Sequence, residues 1–177
     1  SISITREKEL GTMEILLVSP LKPFQVIIGK VVPYIFLSVI NAIVIIVLSI
    51  FVFKMPVQGS LFLLGAESIL FIITSLSLGI LISTISETQQ TAMMISLMGL
   101  MLPVILLSGF IFPITSMPVP LQVMSNIIPA KWFIIIVKGI MLKGVGLSFI
   151  WKETLILVGM TLFFIVLSTK KYKIRLE

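Results

Sequence analysis

The chain contains no cysteine and no histidine, and none of its seven acidic residues is an aspartate. Without cysteine there are no disulfides and no thiolate metal ligands. Without histidine there is no imidazole to hold a metal or to trade a proton near neutral pH. Glutamate is then the only carboxylate side chain, so the common nucleophilic, metal-dependent and acid–base forms of a membrane enzyme have little to be built from. Charge of either sign is scarce: charged residues are 11% of 177 positions, against about one quarter in an ordinary soluble domain. A water-facing surface cannot be assembled from so little charge. Disorder is excluded by the apolar content. A G-x-x-x-x-G-K-[ST] phosphate loop is also missing, so the chain has no recognisable nucleotide site of its own.

What is abundant is apolar. Hydrophobic residues are 58% of the chain and the mean hydropathy is +1.25. They fall into runs long enough to cross a bilayer, which takes about 20 residues of helix. The expected spans are 31–53, 61–85, 91–112 and 149–168. Pro33 falls in the first turn of the first span, where a missing N–H does little harm. Pro23 is expected to begin a short separate helix before it. The polar knot SETQQ at 86–90 ends the second span as a solvated turn.

Residues 113–147 read differently. Pro113, Pro118, Pro120 and Pro129 break the pattern, and the apolar stretch 132–142 is interrupted by Lys138. That stretch is too short to cross comfortably and suits a segment that dips into the membrane and returns. The expected fold class is an all-α polytopic bundle: four spans, an N-terminal amphipathic helix and an external re-entrant segment.

The net charge of +6 matters through its placement. Basic residues gather between Arg6 and Lys30 and between Lys170 and Arg175, each beside an apolar run, as cytoplasmic flanks do. Four spans put both clusters on one side, and five would separate them. Both ends are therefore expected inside, with Lys131, Lys138 and Lys143 outside. A basic chain can also signal nucleic-acid binding, but no basic stripe with interleaved aromatics is present. Ser1 opens a polar, charged stretch that is not a signal peptide and reads like the middle of a longer chain.

Residues 1–30 form their own segment. From Thr5 to Val18, Leu10, Met13 and Leu17 fall on one helical stripe, with Arg6, Glu7, Lys8 and Glu9 in the first turn. On pattern alone this is a surface anchor. Glu67 is a costly carboxylate inside the second span; it serves a polar path or a proton-linked site, or it lies near the outer headgroups or packs on a neighbouring helix. Asn41 in the first span is expected to bond across helices, or to line a path. Pro103 can kink the third span, and Gly109 follows among small residues. Trp132, Phe133 and Trp151 read as interfacial anchors.

ELGTMEILLVSP at 9–20, followed by Gly29-Lys30 and Pro33-Tyr34, resembles the cytoplasmic segment of ABC-2 type permeases, the membrane subunits of ATP-binding-cassette exporters. LSGFIFP at 107–113, then Met117-Pro118 and PAKWF at 129–133, resembles the end of that family's fifth helix and its external re-entrant segment. Lys138 stands where the family more often has Arg. The resemblance implies a protein of six spans, of which this chain would hold the last four. It implies a coupling helix at 9–18 that docks an ATPase subunit, carried here by Glu9, Gly11, Thr12, Glu14 and Leu17. Pro103, Gly109, Pro113 and Pro118, at the end of the third span and the start of the re-entrant segment, are expected either to serve an outward gate or simply to pack tightly. The expected partners are a separate ATP-binding-cassette ATPase, which would carry the ATP while this chain binds no cofactor, a second permease copy or homologue, and the lipid bilayer; nucleic acid is not among them. The expected location is a bacterial or archaeal plasma membrane. An ion-coupled secondary transporter and a non-transporting scaffold are the alternatives. The first would need more intramembrane ionisable groups than Glu67.

The topology has a direct test. On this cysteine-free background, a single cysteine at Lys171 is expected to react with an impermeant maleimide only from the cytoplasmic side. Labelling from outside alone would reverse the assignment.

Overall fold

A computed structural model describes Thr5 and residues 23–174, and among these residues all regular structure is helical. Four helices are long and apolar enough to cross a membrane. They are α1 (Pro23–Phe51), α2 (Leu61–Ile85), α3 (Gln89–Leu107) and α6 (Leu147–Ile174). Between α3 and α6 lie a 3₁₀ turn (Ile114–Ser116), α4 (Val119–Ser125) and α5 (Pro129–Lys143).

Several element boundaries differ from expectation, each for a physical reason. α1 is one continuous helix from Pro23, with Pro33 well inside it. A proline removes one ladder bond, but in an apolar environment no other conformation would satisfy the surrounding backbone, so the helix continues. Gln89 and Gln90 open α3 instead of belonging to a turn, because Thr88 caps the helix by accepting from the Thr91 N–H at 3.1 Å. α3 then stops at Leu107, short of 112: Ser108 closes it and Gly109 takes φ +78°, a left-handed residue that ends helices. α6 runs past Lys170 and Lys171, since charge limits burial in lipid but lysine is a good helix former.

The short elements form a hairpin that does not cross. α4 and α5 meet at 82° across a break of a few residues. Phe133, near the start of α5, stacks on Phe71 with ring centroids 4.2 Å apart. Phe71 lies about 15 Å along α2 from Leu61, at 1.5 Å per residue. The far end of α5 returns to the α1–α2 loop, where Gln58 N–H donates to Met141 O at 3.1 Å. Lys138 Nζ reaches Gly109 O, just past the end of α3, at 3.4 Å. The segment therefore leaves and regains the same face, here called the hairpin face. The opposite, basal face carries the end of α2 and the start of α3.

Backbone exposed by the turn at that depth is bonded internally, as lipid requires. The Asn126, Ile127 and Ile128 N–H groups donate to Val123, Met124 and Ser125. The prolines sit where a missing donor costs little, at the starts of α4 and α5. The apolar core joins three elements: Leu64 of α2, Ile136, Ile140 and Met141 of α5, and Ile150 and Leu157 of α6. α1 has no buried residue in its apolar stretch, and α3 has almost none.

Gly59 lets the α1–α2 loop lie on α5. A Cβ there would sit 2.5 Å from Ile140 O, a backbone atom that cannot swing away. Gly59→Ala is expected to destabilise the detergent-solubilised protein by about 1–3 kcal/mol, read as a lower melting temperature. Gly65→Ala, where a Cβ meets nothing within 4 Å, is expected to leave it unchanged.

Candidate functional site

The third span is the least regular element near the hairpin. Residues Ile95–Met101 form a π-helix, flanked by α-helical Gln89–Met94 and Leu102–Leu107. Leu102 N–H donates to Leu97 O, five residues back. Pro103 follows at once. A proline cannot donate, and its ring would strike the carbonyl four residues earlier; wider winding just upstream relieves both demands. The span accommodates Pro103 by rewinding its backbone.

That rewound stretch faces the hairpin tip. Gly99, Leu100 and Pro103 line one side of an apolar cavity of ≈ 380 Å³, and Ile127–Ala130 line another. Phe71 and Phe164 contribute from α2 and α6. A second cavity, ≈ 490 Å³, lies toward the hairpin face and is bounded by Pro103, Pro113 and Pro118 with Met98, Leu106 and Phe112. Gly109 belongs to the same neighbourhood, since a Cβ on it would meet Ile114 at 3.0 Å. The structure thus brings Pro103, Gly109, Pro113 and Pro118 together around the end of α3.

Other candidates lie elsewhere. Glu67 is 3% exposed, and its Oε1 accepts from the Thr154 hydroxyl of α6 at 2.8 Å. Its Oε2 has no hydrogen-bond partner among the described residues. Asn41 is exposed on α1. Glu9, Gly11, Thr12, Glu14 and Leu17 lie outside the described residues.

Sequence reasoning missed a polar clasp at the hairpin tip. Lys131 is 9% exposed, and its ammonium donates to Asn126 Oδ1 and to Ser125 Oγ at 3.1 Å. It also lies 5.0 Å from the Trp132 ring centre, close enough for cation–π attraction. The Trp132 indole N–H donates to Asn126 O at 3.0 Å, so Trp132 braces the tip where an interfacial anchor was expected. Also missed was the interhelical pair Thr74–Thr161, 2.6 Å between hydroxyl oxygens of α2 and α6. A signal existed: Glu67 and Thr74, and again Ser77 and Thr84, are seven residues apart on α2 and all four are buried. Polar residues at that spacing mark a helix-packing face in lipid.

A four-span bundle with a dipping hairpin, braced by intramembrane hydroxyls, defines a polytopic α-helical membrane protein. The family of ABC-2 family transporter proteins matches residues 1–170, and the chain belongs to that family. It is 36% identical over 177 residues to the probable multidrug ABC transporter permease YbhS of Escherichia coli K12, covering 100% of this chain and 47% of that protein. It is 38% identical over 153 residues to the probable multidrug ABC transporter permease YbhR, covering 86% of this chain and 41% of the relative. ABC transporter G family member 20 of Dictyostelium discoideum is 27% identical over 170 residues, 95% of this chain and 23% of the relative. The chain spans about half the length of the bacterial relatives it matches. No solved structure matches it.

The clasp makes a prediction. Replacing Lys131 with Leu keeps bulk but removes the donor to Ser125 and Asn126, leaving polar oxygens buried. This is expected to cost about 1–3 kcal/mol and to raise the maleimide reactivity of a cysteine placed at Ile128.

Proposed function

We propose that the chain is the C-terminal part of the membrane permease of an ATP-driven exporter. The observation that carries this reading is the family match across residues 1–170. Relatives bearing the name ABC transporter permease align with 86% and 100% of the chain. The permease does no chemistry itself. A separate ATP-binding-cassette subunit binds and hydrolyses ATP, and docks on the amphipathic segment around Glu9–Glu14. A second permease copy or homologue completes the path. Both ends of the chain lie in the cytoplasm of a prokaryotic cell and the hairpin face looks outward, in keeping with the basic flanks.

On this reading, closure of the ATPases pushes the amphipathic segment, and the spans alternate between inward- and outward-open arrangements. The outer gate lies around Pro103, Gly109, Pro113 and Pro118, where a rewound span meets the hairpin across an apolar cavity. Glu67 and Asn41 are proposed polar contacts of the path, Glu67 through its unpartnered Oε2. The cargo is hydrophobic or amphipathic: the cavity walls are apolar, and the two bacterial relatives are named as multidrug permeases.

Co-expression of the complete permease with its ATPase is expected to give ATP-dependent uptake of a lipophilic dye into inverted vesicles. Glu9→Lys with Glu14→Lys is expected to abolish co-purification of the ATPase and the stimulation of hydrolysis. Unchanged assembly and hydrolysis in that variant would remove the coupling role. Uptake driven by an ion gradient without nucleotide would replace the exporter with a secondary transporter.

A further inference from the structure

Thr5 heads the stretch 5–18 that the sequence reads as amphipathic. Thr5 is fully buried, and it meets Ser83 in the last turn of α2. Its backbone N–H donates to Ser83 Oγ at 3.1 Å. The two hydroxyl oxygens are 2.8 Å apart, and Thr5 Oγ1 also approaches Ser83 O at 3.4 Å. Contacts from both backbone and side chain fix orientation as well as distance. Burial keeps water from competing for them, so they hold more firmly than a surface pair would.

The helix that receives this contact is the one the rest of the fold leans on. α2 carries Ser83 at its basal end. Toward the hairpin face it bonds α6 through Thr74–Thr161 and Glu67–Thr154, and it stacks Phe71 on Phe133 of the hairpin. A displacement at Ser83 therefore moves a single 25-residue helix that is bolted to α6 and α5. α1 offers no comparable route, because its apolar stretch is unburied.

We propose that Thr5 and Ser83 are positioning residues of the transport cycle: their contact passes movement of the amphipathic segment to α2, and through α2 to the hairpin. This rests on the exporter reading above. The coupling lies in the contact of Thr5 with α2, and neither residue is assigned a contact with cargo or nucleotide.

The test uses the complete permease and its ATPase in proteoliposomes, reading ATP hydrolysis and dye transport together. Thr5→Val keeps the backbone bond and loses the hydroxyl; Ser83→Ala loses the shared oxygen. Ser83→Ala is expected to keep hydrolysis near wild type while transport per ATP falls about fivefold or more. Thr5→Val is expected to fall less, and Thr5→Ser to retain coupling. Ser77→Ala removes a buried hydroxyl that bonds Ile73 O of its own helix, and is expected to leave the ratio unchanged. Transport per ATP unaltered in Ser83→Ala would overturn the proposal, as would a loss of hydrolysis and transport in equal measure. A second measurement needs no transport: with cysteines at both positions on the cysteine-free background, an oxidative cross-link is expected to form and leave transport intact. Failure to cross-link would show that the contact is not made. A wild-type complex with no ATP-dependent transport, but with the cross-link formed, would sink the exporter reading and leave the contact standing.

Discussion

Inside a bilayer no water is available to a backbone N–H or C=O, and lipid tails give helices no hydrophobic reason to associate. Both halves of that constraint are visible in this chain. The first explains why Pro33 and Pro103 sit within helices without ending them: one stays in a continuous ladder, and the other is absorbed by seven residues of π-helix. It also explains the self-bonded turn at Asn126–Ile128, where a loop at membrane depth is tolerated because its donors are met locally. The second half explains what holds the bundle together. The contacts that join α2 to its neighbours are a threonine pair, a glutamate–threonine bond and one aromatic stack, set around a small aliphatic core.

These contacts divide the fold unequally. α2, α5 and α6 share the core and form one braced body. α3 meets that body through its π-helical stretch and through the hairpin, leaving apolar cavities on both sides of Pro103. A helix wound with i→i+5 bonds, here next to a proline and beside unfilled space, is the kind of irregular segment found often at functional sites. The hairpin is held more firmly. Lys131, Ser125 and Asn126 lock its tip, while Gly59 and the Gln58–Met141 bond hold its return.

The four spans were legible in the sequence because length and hydropathy decide them, while four rather than five crossings was preferred only because four put both basic clusters on one side. Helix ends were less legible. Lysines at 170 and 171 mark where lipid ends but not where the helix ends, and Gly109 stops α3 by a left-handed φ that also suited close packing. Glu67 stood out as a lone charge in an apolar run. Its bond to Thr154 did not, since an (i, j) pair 87 residues apart leaves no local pattern. The Lys131 clasp was hidden for another reason: a lysine between proline and tryptophan reads as an interfacial residue, and only the depth of the turn makes it a buried cation that needs partners.

Among the described residues, two connections lead from the N-terminal part of the chain to α2, one covalent and one hydrogen-bonded. The covalent route passes through α1, which packs chiefly on α2 and leaves its own apolar stretch unburied. The hydrogen-bonded route passes through Thr5 to Ser83, at the basal end of α2 itself. Both connections meet α2. Because α2 is also the helix against which the hairpin stacks, movement on the basal face and the state of the hairpin face are linked through one rigid element. Such a link needs no chain of small adjustments through the apolar interior. It needs only that α2 keep its polar contacts at both ends.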